Sequence, residues 1–444
     1  MRRDVLISLA MGLTLAMPAM ATVTVTVGTG TNTYVLSGLI VTPDEVVDGS
    51  VVVIGDTITC VGTACAEPVG ANKVRVSNAF IVPGLIDAHN HVAYNVFPKW
   101  APPKLYSNRY QWQGSTSYKK FKAPYNDLKA SVYCEMVKYG EVKALISGIT
   151  TIQGTSPNRS CFKTLIRNVE NQNELGLPAN HIRTNILAIG DFEGSIDWSQ
   201  TRSFVVHVGE GIDEKSRVEF DTLKQKDLLK SGTAVIHGTG FGPAEFAEMA
   251  AVGAKLIWSP QSNLVLYGKT TDIRAARQAG VKVSVGVDWN PSGSDSIFDE
   301  LRVAEVVNGE QFDEAIPEGD WLRMVTENPA EALAVEDKIG RIAVGLMADL
   351  LVLARRDDDP NRSLLKNEVQ DVQWIMIGGE PAYGNEAGIQ KVRPNQCEAL
   401  TVHGSRKRIC VRETPATVEK SSETLADLKS ILLARYAGLA PLAP

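Results

Sequence analysis

Apolar residues fall along this chain in two rhythms. From residue 22 to 80 they alternate with polar ones in short runs, ATVTVTVGTG, TYVLSGLIVT, GSVVVIGDTITCVG and NKVRVSNAFIV, with turn residues between. Such period-two alternation predicts β-strands with one buried face. The same rhythm returns in GRIAVGLMADLLVLAR (340–355) and DVQWIMIGGEPAYG (371–384). Joining the two distant pieces predicts one small β-sandwich domain made of 22–80 and 340–385.

Between them, strand-like apolar runs alternate with helical stretches, the pattern of a parallel α/β fold. The strand candidates are AFIVPGLIDAHNH, GITTIQGT, RTNILAIG, SFVVHVGE, TAVIHGTG, KLIWSP and VKVSVGVDW. Helices are predicted around 127–147, 160–176, 214–231, 243–253, 270–280 and 320–334. Seven strands are legible; an eighth is expected within 95–150. The whole reads as a (β/α)8 TIM-type barrel over 81–339. The remainder, 386–444, is a C-terminal extension. Its stretch SSETLADLKSILLARYAG predicts an amphipathic helix that docks on the body or on a partner subunit.

Four of the strand-like runs end in a histidine or an aspartate. His89 and His91 close VPGLIDAHNH, His207 follows FVV, His237 follows AVI and Asp288 follows VSVGV. The C-terminal ends of different strands are where a barrel keeps its catalytic groups. The chain has six histidines, and four of them stand here. A His-x-His pair on a strand sends both imidazoles to one face. A third imidazole and a carboxylate would complete a site for Zn²⁺ or a similar first-row metal, with one position left for water. The metal would bring the pKa of that water towards ~7.

Glu210 lies three residues after His207, on the following loop. There it can take a proton from the water and hand it to a leaving group. Asp288 can bind the metal and also accept a proton. His237 is either a ligand or a neutral group that orients the water and polarises the substrate. Each residue alone would read as structural; the shared order of HxH, HxxE, H and D at strand ends carries the signal. His181 starts a strand and His403 lies in the tail, so neither joins the set.

The segment 94–125 is rich in aromatic residues, among them Tyr94, Trp100, Trp112 and Tyr118. It either roofs the substrate pocket or packs one end of the barrel. Tyr94, Asn263 and Trp289 are the candidates for substrate contact.

Composition narrows the partners. A formal charge of −6 and no strong basic patch argue against nucleic acid. Residues 1–21 read as a secretory signal peptide: a basic MRR start, an apolar stretch, and a small-x-small site at Ala19-Met20-Ala21. The mature chain is therefore expected in the periplasm or outside the cell. No other stretch is long and apolar enough to span a membrane. Six cysteines in an exported chain favour disulfides. Short loops close most easily, so the expected pairs are Cys60–Cys65, Cys134–Cys161 and Cys397–Cys410.

At these residues the chain resembles the amidohydrolase superfamily over nearly its whole mature length. GLIVTPDEVVDGSVVVIGDTITCVG is similar to the N-terminal β-domain of that superfamily, VPGLIDAHNHVAYN to its first barrel strand, and SPQSNLVL and VGVDW to strands seven and eight. GRIAVGLMADLLVL resembles the return to the β-domain. The match falls in the mononuclear branch of cytosine, guanine and adenosine-type deaminases and triazine chlorohydrolases. It implies one divalent metal per chain, zinc first and iron second, with His89, His91, His207 and Asp288 as ligands. It implies that His237 contacts the water, sometimes the metal, and that Glu210 is the proton shuttle. Binuclear branches need a lysine on strand four, and RTNILAIG has none. Trp289 stands where the deaminases carry a small residue.

The resulting expectation is an exported metallohydrolase with a small-molecule substrate. Metal-activated hydroxide attacks an sp² carbon of a cyclic amidine or amide, giving deamination or C–N hydrolysis. A dipeptidase, carbamate hydrolase or lactonase is the alternative, and a binding protein that has lost catalysis the remote one. Relatives in this superfamily are often oligomers, so a homo-oligomer is expected of the resemblance alone.

Overall fold

The computed structural model describes residues 20–154, 161 and 163–443. Most of the predicted signal peptide, residues 1–19, lies outside the described residues. Among them no helix is long and apolar enough to cross a membrane.

The chain opens with β1 (Thr22–Thr26), β2 (Thr33–Val41), β3 (Val46–Ile54), β4 (Thr57–Gly62) and β5 (Asn72–Pro83). Eight short strands follow: β6 (Leu85–Asp87), β7 (Ile149–Ile152), β8 (Arg167–Asn168), β9 (Ile182–Asn185), β10 (Ser203–Val208), β11 (Thr233–His237), β12 (Lys255–Trp258) and β13 (Val283–Val285). The last five are β14 (Leu350–Ala354), β15 (Val372–Ile377), β16 (Glu380–Asn385), β17 (Glu398–Val402) and β18 (Ser405–Ile409).

The first and last groups form one hydrogen-bonded sheet of ten strands, in the order β17-β18-β16-β15-β14-β5-β2-β3-β4, with β1 also on β5. The strands expected in two layers therefore share one continuous ladder. Its centre, β14, is wholly buried and obeys period two. Leu350 and Val352 face a core with Ile81, Trp374 and Met376, whereas Leu351 and Leu353 turn to the main core with Phe80 and Val82. The Gly378-Gly379 turn between β15 and β16 has positive φ at both residues, as a two-residue hairpin needs. The tail contributes β17 and β18 to this sheet. Its helix Leu425–Arg435, capped by Thr424, buries Leu425, Leu428 and Leu432 and packs on the helix Ala123–Ile146 of the same chain.

The other eight strands run parallel in two arcs, β13-β12-β11-β10-β9 and β6-β7-β8. Asn90 and Asp288 bridge the two arcs in parallel, next to the bonds from His91 N to Asp288 O at 2.6 Å and from Asp288 N to His89 O at 2.8 Å. Among the described residues β8 and β9 form no ladder; there the Gln172 side chain donates to Ile182 O at 2.7 Å. The fold is thus α/β with parallel sheets.

Three expectations are corrected. The eighth strand is β8, not a strand within 95–150, a range that holds helices up to Ile146 and then β7. Of the range 160–176, read as a helix, residues 160 and 162 lie outside the described residues, and the rest hold β8 and a short 3-10 turn at Gln172–Leu175; a two-residue strand has no periodicity to read. The run AFIVPGLIDAHNH is not one strand either. It passes from β5 to β6 at Gly84, so its two halves serve different sheets. All three expected cystine pairs are formed.

Candidate metal centre and active site

The five residues at the strand ends converge. His89, His207 and His237 form one group whose ligand atoms lie within 4.8 Å of one another, and His89, His91 and Asp288 form a second sharing His89. His89 and His91 stand just beyond β6, and the Nε2 of each is 3.4 Å from Asp288 Oδ1. His207 lies within β10 and His237 ends β11. Close approach of β6 and β13 requires Gly286, where a Cβ would come within 2.7 Å of His89 Cβ. His237 (φ 71°) and Asp288 (φ 68°) both adopt the left-handed conformation. Non-glycine residues are seldom held there, and such strain clusters at functional sites.

The second nitrogen of each buried ring is engaged. His207 Nδ1 donates to Asn185 O at 3.2 Å, an acceptor only, so its Nε2 is bare. His237 Nδ1 lies 3.0 Å from Asn263 Oδ1, while Asn263 Nδ2 turns to Thr270 and Thr271; the Nε2 of His237 is bare as well. His89 Nδ1 is held by Ser259 Oγ at 2.8 Å. Burial, reinforced by the neighbouring rings, pushes His89 and His207 well below the usual histidine range and His91 down to about 4. Burial also lowers His237. Neutral imidazoles with fixed tautomers and inward lone pairs are what a divalent metal requires of its ligands. Asp288 is driven well above the usual carboxylate range by burial, and its Oδ2 accepts from Ser262 Oγ at 2.5 Å. A cation beside it would remove the penalty of ionising it. The donor set therefore fits a divalent metal.

The cluster forms the floor of a cavity of about 390 Å³. Glu210, His91, His207, His237 and Asp288 line its base; Tyr94, Trp112, Tyr118 and Trp289 line its wall. The aromatic segment serves both expected roles. Trp100, Tyr106, Trp112, Tyr118, Tyr267 and Trp289 pack as one cluster, and part of that cluster faces the cavity. Tyr94 and Trp289 line the cavity. Asn263 does not: it is fully buried behind His237, whose ring it orients.

Sequence reasoning missed the partners of Glu210. Tyr267 Oη donates to Glu210 Oε1 at 2.8 Å, Arg109 Nε lies 3.4 Å from Oε2, and His237 Nε2 lies 3.8 Å from Oε2. Burial raises the pKa of Glu210, but the Arg109 charge and the other partners outweigh it and hold the carboxyl below its ordinary value. Arg109 sat unremarked among the aromatic residues, with no motif to mark it.

The comparisons agree with this geometry. Residues 195–382 match the model of the Amidohydrolase family. The 5-methylthioadenosine/S-adenosylhomocysteine deaminase of Halobacterium salinarum is 24% identical over 401 residues, covering 78% of this chain and 88% of that protein. The amidohydrolase likeness is thus carried by residues 195–382. Among solved structures, the atrazine chlorohydrolase of Arthrobacter aurescens TC1 complexed with zinc has a TM-score of 0.61 at 16% identity, covering 92% of this chain and 100% of that one. The adenosine deaminase of Xanthomonas campestris with bound zinc has a TM-score of 0.58 at 17% identity, covering 79% and 92%. These structures share the fold of this chain.

Proposed function

We propose that this protein is an exported amidohydrolase-type deaminase with one divalent metal per chain, zinc first and iron second. The observation that carries the reading is the convergence of four neutral imidazoles and Asp288 beneath Glu210 in one aromatic-walled cavity. The two parallel arcs are proposed to close as a (β/α)8 barrel, and the leader read at 1–21 to direct the chain to the periplasm or beyond the cell.

His89, His91, His207 and Asp288 would hold the metal, with His237 beside it; the bound ion would acidify a water and polarise the substrate. Tyr267 already donates to Glu210 Oε1, so Oε2, which faces His237 beside Arg109, is the oxygen that carries the proton. It takes a proton from the water and delivers it to the leaving nitrogen. His237, fixed by Asn263, orients the water, and Asp288 accepts its second proton. The water oxygen adds to the sp² carbon of a ring amidine that bears an exocyclic amino group; Asp288 passes its proton on to the ring nitrogen, the exocyclic C–N bond breaks, and ammonia leaves. The aromatic wall of Tyr94, Trp112, Tyr118 and Trp289 suits a flat ring.

Ammonia release from 5′-methylthioadenosine, adenosine and guanine, beside a dipeptide and a lactone, tests the reading. Release from at least one ring substrate is expected, with none in Glu210→Gln. Turnover of the dipeptide or lactone alone would replace it with the alternative hydrolase.

A further inference from the structure

The roofing segment does more than cover the cavity. Tyr106 N donates to Leu266 O at 2.8 Å and Ile212 N to Ser107 O at 2.7 Å, and Arg109 N meets Glu210 O at 3.1 Å. Asn108 bridges Gly211, and its side chain donates to Asp213 Oδ2 at 2.6 Å. The segment is thus stitched to the loop that carries Glu210 and to the helix that carries Tyr267.

Two side chains continue the connection. Trp112 Nε1, a donor only, gives its proton to Tyr267 Oη at 2.8 Å. With that proton filling a lone pair, the Tyr267 hydroxyl turns its own hydrogen to Glu210 Oε1. The chain indole N–H to phenol O–H to carboxylate has one direction, and each bond polarises the next. On the other side, Arg109 is buried and anchored by Nη2 on Ile186 O at 2.9 Å, which sets its Nε beside Oε2. Neither Nε nor Nη1 has a hydrogen-bond partner of its own; their counter-charge is Glu210.

We propose that the segment Tyr106–Trp112 is a positioning element for Glu210, acting directly through Arg109 and through Trp112 by way of Tyr267. It fixes the carboxylate plane so that Oε2, not Oε1, faces the histidine cluster. This rests on the role proposed above for Glu210. The roof and the proton shuttle then form one unit, and disturbing the roof should impair chemistry rather than binding.

Tyr267→Phe keeps the ring and removes the one hydroxyl that holds Oε1. Its kcat should fall on the order of tenfold to a hundredfold, the range for a lost hydrogen bond to a charged group, with KM and metal content unchanged. Trp112→Phe should fall less, in the same direction. Arg109→Lys should retain more kcat than Arg109→Met. Crystals of the zinc-loaded wild type and Tyr267→Phe supply a readout independent of turnover: the Glu210 carboxylate should rotate in the variant. An unmoved carboxylate with kcat within about twofold of wild type would overturn the proposal. If the wild type releases no ammonia from any probe, the deaminase reading fails. The crystal pair then decides positioning alone, a rotated carboxylate supporting it and an unmoved one overturning it.

Discussion

His207 turns a bare Nε2 on the Nε2 of His89 at 3.1 Å, with its own Nδ1 committed to the Asn185 carbonyl. That gap holds one proton or one cation. The bare Nε2 of His237 and the carboxylate of Asp288 share the same pit, which makes a cation the better occupant. The remaining chemistry of the site is arranged around that point.

Glu210→Gln keeps the shape of the side chain and removes its ability to carry a proton. The variant should bind metal like the wild type and lose on the order of 10²–10⁴ in kcat. Steady-state kinetics beside metal analysis check this, and full activity would remove Glu210 from the mechanism.

Trp289 packs against Tyr94 at 5.2 Å and against His91 at 5.9 Å between ring centroids, so it is a wall of the cavity rather than a distant core residue. Trp289→Ala should raise KM about tenfold or more through lost aromatic contact, with metal content unchanged. Unchanged KM would mean that the substrate does not touch this wall.

Glu300 is fully buried, and burial pushes its carboxyl up to about 8 although the backbone N–H groups of Gln261 and Ser294 bond to it. The unfolded value is about 4.3, so the native state holds an extra proton between the two. The associated stability is fully present below about pH 4 and is lost as pH rises through about 8, by at most about 1.4 kcal/mol per pH unit. Thermal unfolding of Glu300→Gln should therefore gain on the wild type as the pH rises across that window. Parallel profiles would contradict it.

The Cys134–Cys161 bridge spans a sequence separation of 27. Closing a loop of that size stabilises by about 3–4 kcal/mol in the chain-entropy account. The double variant Cys134→Ser with Cys161→Ser should lose that amount in urea unfolding. A loss below about 1 kcal/mol would show that the unfolded chain is already restrained there.

What the sequence displayed was set by local periodicity. His89, His91, His207, His237 and Asp288 were visible because each follows an apolar run, and strand ends gather wherever the runs lie in sequence. β8 escaped because Arg167 and Asn168 are polar and too few to alternate; Arg167 is buried by pairing with Asp349 and donating to Glu174 O. β17 and β18 escaped because Arg406, Lys407 and Arg408 break the apolar alternation of SRKRI; Lys407 is buried by donating to Val372 O and Asn385 Oδ1. Asn263 was placed in the right neighbourhood but on the wrong side of His237, since spacing along a helix does not say which ring a carboxamide meets. Arg109, Trp112 and Tyr267 were beyond reach for the same reason: their contacts with Glu210 depend on how a long loop folds back over the strand ends.

Metal content of the purified protein, measured beside His207→Ala, bears most directly on the central claim. About one zinc or iron per chain in the wild type, and close to none in the variant, is the result expected of a mononuclear centre built on these histidines. No metal after reconstitution, two metals per chain, or an undiminished content in His207→Ala would contradict it.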